Sequence, residues 1–379
     1  MKEYIIIGGD NLNTLGIVRS LGEVRINPII VLFREGHIKL VTHSKYARRI
    51  FWVNSIEEGV TLMYNYTSEG CRPFVYTTDD NTESYFDLHY DELIPHFFFY
   101  NAGEAGRITH LMDKKVICDL AEECGFNVPK SEVVSRGELP KNIKYPVITK
   151  TLNPYSPGWK RDVGIYYNDE ELAKAYKGMI SENLCLQEWI DKKNEIALQC
   201  ISINGGEYVL ITYYAELLRY TNTSFGGLKR YCILSNDELR DRIKTIIKRI
   251  HYSGVFEIEF LVSQDDRLLF LEINFRSSAA NYAMMYGNIN LPYLWSEMTL
   301  SNKSRDLLLR DESFISLNEN LDFSQFVATH EIPFFKWLKD LFGADCYYLF
   351  NKRDPYPFFF FLFQKVMRKF NKKCRFTRN

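Results

Sequence analysis

The chain has 379 residues, with 47 Lys and Arg set against 48 Asp and Glu, for a net charge of −1. No global field draws such a chain to nucleic acid or acidic polymers, so any polyanion must be met by a local patch. A hydrophobic content of 46% excludes a disordered chain and suffices for two or three cored units.

Eight cysteines are scattered without CxxC pairs or histidines at metal-ligand spacing. They read as reduced, mostly buried thiols, not as a disulfide framework or zinc site. The opening MKEYIIIGGD turns polar too soon for a signal peptide. No stretch approaches the roughly 18–20 apolar residues of a spanning helix, so a cytoplasmic protein is expected.

Residues 4–7 form an apolar run that ends in Gly8 and Gly9. Leu12, Leu15, Val18 and Leu21 then recur at helical spacing, and residues 28–33 are a second apolar run. Helical stretches over 56–66 and 85–94 alternate with strand-like runs over 73–77 and 97–100. This alternation predicts a small parallel sheet with covering helices, whose ligands sit beyond the carboxyl ends of the strands. Gly8, Gly9 and Gly16 do not make the GxGxxG spacing, which leaves a tight strand-to-helix turn in place of a dinucleotide site.

Residues 106–125 read as one helix, closed by Gly125 and Pro129. Strands then dominate, over 147–149, 184–189, 196–203, 208–214 and 256–262, interrupted by helices over 169–180 and 237–251. That pattern predicts an α+β body built on antiparallel sheets.

The segment 254–278, GVFEIEFLVSQDDRLLFLEINFRSS, carries the most chemistry. Its apolar runs, 255–262 and 268–273, flank a polar turn and so predict a hairpin. Alternation puts Glu257 and Glu259 on one face, opposite Phe256, Ile258 and Phe260. On the second strand Glu272 and Asn274 share a face opposite Leu271 and Ile273. Converging carboxylates and an amide are hard oxygen donors, the kind Mg²⁺ takes together with substrate phosphates. Arg276, just beyond, carries a fork suited to a phosphate or acyl-phosphate oxygen. A solvated hairpin face would account for Glu257, but not for the small residues 277–280 that follow in place of surface charge.

In these residues the chain resembles the ATP-grasp carboxylate–amine ligases, over nearly its full length and most closely the branch that includes D-aspartate ligase. The resemblance implies a Rossmann-like α/β pre-ATP-grasp domain over 1–105 and an α+β ATP-grasp body. The body would divide into a central lid subdomain over 106–185 and a C-terminal subdomain over 186–330, followed by an aromatic and basic extension over 331–379. It implies Glu259 and Glu272 as Mg²⁺ ligands, with Glu272 bridging two ions and Asn274 completing the second; Mn²⁺ is the alternative ion. Arg276 would contact the transferring phosphate or the intermediate.

Lys114, with Lys115 as the alternative, and Lys150 at the end of YPVITK match the family's nucleotide-contacting lysines. Residues 153–161 match the loop that closes over phosphates; Gly158 is its lone glycine, so Lys160 or Arg161 would supply its charge. Gln187, Glu188, Trp189 and Ile190 match the hinge that holds adenine, and Glu195 the residue that reaches the ribose. Arg219 matches a basic residue that holds a substrate carboxylate, with Tyr220 and Lys229 weaker candidates.

The implied reaction joins a small-molecule carboxylate to an amine through an acyl phosphate, releasing ADP and phosphate. An amino acid or a cell-surface glycan or peptidoglycan precursor would be the substrate, and no nucleic acid is involved. No GxSxG or Cys–His pairing signals a covalent nucleophile. The alternatives are carboxylation or phosphorylation of a small molecule, or a silent scaffold of a polysaccharide pathway. Intact Glu259, Glu272, Asn274 and Lys150 weigh against the scaffold. Nothing in the sequence sets the oligomeric state.

At the C-terminus Phe359, Phe363, Val366, Met367 and Phe370 recur at helical spacing among Lys365, Arg368, Lys369, Lys372, Lys373, Arg375 and Arg378. Such a helix suits the inner face of an anionic membrane, where each Lys or Arg contributes about 1 kcal/mol. The favoured expectation is that these apolar side chains pack on the body, because stripes of this spacing are more often core.

Overall fold

The first apolar runs become a four-stranded parallel sheet in a computed structural model of the chain, which describes residues 2–34, 39–68, 70–221 and 226–376, with side chains in the last helix described to Met367. The strands β1 (Tyr4–Gly8), β2 (Ile29–Phe33), β3 (Arg49–Val53) and β4 (Phe74–Thr77) lie in the order β3-β2-β1-β4. Their continuous apolar character follows from burial on both faces. Tyr4 and Ile6 meet α1 (Leu12–Glu23) on one side. Ile5 and Ile7 meet α2 (Ile56–Met63), α3 (Asp80–Leu88) and the short α4 (Tyr90–Leu93) on the other. Residues 97–100 form no strand of their own; they run beside β4 through a bridge from Phe98 to Phe74.

Where one helix was expected over 106–125, there are two, α5 (Arg107–Leu111) and α6 (Lys114–Glu123). Asp113 is the reason. Its Oδ1 accepts the N–H of Lys115 at 2.8 Å and of Val116 at 3.2 Å, an N-cap that starts a fresh helix at Lys114.

A second, antiparallel sheet follows, made of β5 (Ser131–Ser135), β6 (Val147–Lys150), β7 (Gly164–Tyr166) and β8 (Asn183–Glu188) in the order β5-β8-β6-β7, with α7 (Asp169–Tyr176) packed on it. The third sheet has seven strands, in the order β13-β12-β9-β10-β11-β14-β15. They are β9 (Lys192–Ile203), β10 (Tyr208–Leu217), β11 (Leu228–Ile233), β12 (Gly254–Ser263), β13 (Leu268–Asn274), β14 (Phe314–Leu317) and β15 (Cys346–Tyr347). Only the edge pair β14–β15 is parallel. Buried Leu239, Ile243, Ile246, Ile247 and Ile250 of α8 (Asp237–Ile250), together with α9 (Leu291–Ser301), join the main core. The short α10 (Glu319–Asp322) and α11 (Phe334–Gly343) lead to the terminal helix α12 (Tyr356–Phe376).

That helix corrects the expectation for its apolar stripe. Phe358 and Phe361 pack against the core, and the Phe360 ring stacks 3.5 Å from His43. Phe359, Phe363, Val366 and Met367, however, are 43–59% exposed. The helix docks through its other face because the chain two residues ahead of it is pinned: Asp354 is fully buried against Arg19 of α1, Nε to Oδ2 2.9 Å, and also accepts from Ser44 and the Lys45 N–H. Phe370 and the basic side chains beyond Met367, Arg378 included, lie outside the described range. Among the described residues no helix is long and apolar enough to cross a membrane.

Candidate active site

The hairpin forms as β12 and β13, with Glu257 opposite Asn274 and Glu259 opposite Glu272. Asn274 Nδ2 donates to Glu259 Oε1 at 2.9 Å across the pair. One expectation fails here. The register slips by one residue between Glu259 and Phe260, where Phe260 pairs with Phe270, so Leu271 is an extra residue in β13. A bulge of this kind re-aims its side chain. Leu271 therefore joins Leu261 in lining a cavity on the carboxylate side of the sheet, not the opposite face.

Glu257 belongs to the floor. It is buried and bonded by the Gln199 side-chain amide and by Ser278 Oγ at 3.0 Å. Glu272 receives Lys114 Nζ at 2.5 Å, because the Asp113 cap places that lysine in the first turn of α6. Lys115 instead pairs with Asp119 along the same helix. Arg276 reaches the first sheet's α3, Nε to Asp80 Oδ1 at 2.7 Å, and comes within 3.4 Å of Asn274 Oδ1.

These charges act on one another unequally. Lys114 holds the Glu272 carboxyl down to about 2, helped by Lys150 and Arg276. Burial, with Glu272 and Glu257 close by, pushes Glu259 well above the usual carboxylate range. The cluster is thus short of positive charge at Glu259. Among the described residues no three His, Cys, Asp or Glu side chains form a ready-made cage. Two carboxylates and an amide oxygen still fit Mg²⁺, which takes one or two carboxylates and fills its remaining positions with water and phosphate oxygens.

Next to this cluster lies a cavity of about 450 Å³, lined by Gln187, Glu188, Trp189 and Ile190 from the end of β8, with Lys150 and Glu195. Lys150 Nζ donates to Gln187 Oε1 at 2.8 Å, and burial together with Lys114 lowers its pKa. Glu188 Oε1 accepts the Lys130 N–H at 2.8 Å, and Glu195 pairs with Lys192 at 2.7 Å. A smaller cavity of about 130 Å³ sits at Glu272, Asn274, Arg276 and Lys114.

Pro154 and Trp159 wall that smaller cavity, so loop 153–161 lies over the carboxylate end. Its charges point elsewhere, Lys160 over the Trp159 ring at 4.1 Å and Arg161 to Gly178 O at 3.3 Å. Arg219 stands apart, buried and paired with Asp322 and Asp340.

Asp80, which follows the carboxyl end of β4, and Trp159 of the loop also line the smaller cavity. Lys229 of β11, the weaker candidate beside Arg219 in the sequence, lies in the field of Glu257, Glu259 and Glu195. Burial opposes the Lys229 charge, but Tyr348 and those glutamates outweigh it and raise its pKa. The sequence marks Lys229 only as a weaker candidate for a substrate carboxylate; Asp80 has no signal there.

The fold is that of the ATP-grasp proteins. The chain is similar to N5-carboxyaminoimidazole synthetase from Staphylococcus aureus complexed with ADP, with a TM-score of 0.65, 15% identity and 87% of each chain covered. It is similar to the L-amino acid ligase from Bacillus licheniformis, with a TM-score of 0.57 and 14% identity over 79% of this chain and 74% of that one. Against Rhizobium etli pyruvate carboxylase the TM-score is 0.61 at 15% identity; the match takes in 78% of this chain and 29% of the carboxylase. No protein-family model and no curated protein matches the sequence.

Proposed function

We propose that the chain is an ATP-dependent carboxylate–amine ligase that forms an amide through an acyl phosphate and releases ADP and phosphate. The observation that carries this reading is the junction of two features: a nucleotide-sized slot at the end of β8, and the Glu259–Glu272–Asn274 cluster beside it, with Lys150 and Lys114 between. Gln187, Glu188, Trp189 and Ile190, with Leu261 and Leu271, would hold adenine, and Glu195 the ribose. Lys150 and Lys114 would bind phosphates as point charges.

Glu259, Glu272 and Asn274 would hold Mg²⁺, two ions in the full complement, which supply charge neutralisation at the phosphates. Lys114 would leave Glu272 as the ion and nucleotide arrive. Arg276, oriented by Asp80, would hold the phosphate transferred to the substrate carboxylate. Trp159 and its loop would keep water from the acyl phosphate. Positioning and charge would do the catalysis, with no covalent enzyme nucleophile.

The D-aspartate ligase-like branch is the finer assignment, with an amino acid or a surface glycan or peptidoglycan precursor as substrate. Arg219 would take a substrate carboxylate only by exchanging Asp322 or Asp340. A second reading, carboxylation with bicarbonate as the acid, is favoured by the similarity to a pyruvate carboxylase. An ADP-release screen over carboxylates and amines, with bicarbonate as one arm, separates the two. The ligase reading requires Mg²⁺-dependent ADP formation with an organic acid that rises when the amine is added. ADP formation with bicarbonate alone would replace it with the second reading.

A further inference from the structure

The surface made by α11 and α12 differs from the rest of the molecule. Phe334, Phe335 and Phe342 of α11 are 48–80% exposed. Leu362, Phe363, Val366 and Met367 of α12 are also exposed. Between the helices runs a groove of about 610 Å³, walled by Phe323, Trp337, Leu341, Phe342 and Leu362, with Lys352 and Lys365 in its lining. Trp337 is 8% exposed, and its indole N–H is buried without a partner among the described residues. Lone exposed apolar side chains are ordinary, but a clustered set beside a groove marks an interaction site.

Charge decides what kind of partner fits. From Pro355 to the C-terminus the sequence holds seven basic residues and no acidic one, leaving 40 basic against 48 acidic residues in the rest of the chain. An anionic bilayer offers hydrocarbon and phosphate together, which matches apolar and basic residues on one helix. A second copy would match the apolar side chains but would bring its own seven positive charges against the first set. Neither helix is a membrane span, so contact would be interfacial.

We propose that the α11–α12 face docks the protein on an anionic phospholipid bilayer, with α12 in the interface and the groove receiving a lipid acyl chain. The proposal does not rest on the ligase reading. The test is co-sedimentation of the full chain with vesicles of phosphatidylcholine, with or without phosphatidylglycerol. Binding is expected only with phosphatidylglycerol. It should fall about tenfold or more in Phe359→Ser/Phe363→Ser and in Arg368→Glu/Lys369→Glu/Lys372→Glu, and be lost at high salt, where screening shortens to about 3 Å.

No binding to the anionic vesicles, equal binding to both kinds, or binding indifferent to salt would overturn it, and these arms use the unaltered protein. A dimer in sedimentation equilibrium that Phe359→Ser/Phe363→Ser dissolves would assign the face to a second copy instead. ADP release in solution should be unchanged in both variants, which keeps this outcome separate from the fate of the ligase reading.

Discussion

Two glutamates that face each other across the hairpin do not share one state. Glu272 is held ionised by Lys114, whereas Glu259 is pushed up by burial and by its carboxylate neighbours. A bound cation would relieve that asymmetry, which is why Glu272→Gln is expected to lower ADP release about 100-fold or more while circular dichroism and melting stay near wild type. Turnover within a few-fold of wild type would remove Glu272 from the metal set.

A residue outside the site gives an independent test of the buried electrostatics. Glu83 of α3 is wholly buried, with one oxygen on Thr77 and the other without a partner among the described residues. Burial raises its pKa well above 4.5. Below that value the carboxyl is protonated in both folded and unfolded chains and contributes nothing. Above it the unfolded chain releases the proton while the folded chain keeps it, so stability falls as pH rises. Glu83→Gln should therefore match wild type at about pH 4 and exceed it increasingly as pH rises from the unfolded towards the raised folded pKa, by about 1.4 kcal/mol for each pH unit within that window. A stability gap between the two that does not change with pH would contradict this.

Elements repeat the lesson with different partners. The hairpin is legible in the sequence because acidic and apolar residues alternate with period two around a polar turn. The aim of Leu271 is not legible, because one extra residue in β13 reverses the face and nothing local announces it. The break at Asp113 does have a local sign, an acid ahead of a helical run, but the continuous apolar spacing on either side masks it. The terminal helix is set by contacts far away in sequence. Arg19 and Asp354 are 335 residues apart, and both are fully buried. Arg19 also donates to the carbonyls of Tyr348 and Leu349, so it fastens the whole approach to α12. Asp354→Ala would strand that guanidinium. Chemical denaturation should show a loss of about 3–5 kcal/mol, and a loss under about 1 kcal/mol would mean the pair is not what anchors the extension.

The molecule as a whole places its cleft where three sheets meet. Asp80 comes from the parallel sheet's α3, Lys150 and the Gln187–Glu188 pair from the second sheet, and Glu259, Glu272 and Lys229 from the third. The order of these landmarks along the chain is readable, and so are the alternating and antiparallel patterns that build the sheets. The Asp80–Arg276 contact is not readable, since 196 residues separate its members and only tertiary packing joins them. The exposed face of α12 was hidden for the same reason, since spacing alone does not tell which stripe of an aromatic helix meets the core. If that face lies on a bilayer, the cleft works beside a membrane, and substrates carried there become accessible to it.

In the proposed reaction a substrate carboxylate oxygen attacks the terminal phosphate of ATP, so following that oxygen tests it directly. The carboxylate that supports ADP release is labelled with ¹⁸O, the amine is added, and the phosphate is analysed by mass spectrometry. Passage through an acyl phosphate predicts one labelled oxygen in the phosphate for each amide formed. Amide formation with unlabelled phosphate, or with AMP and pyrophosphate as products, would contradict it.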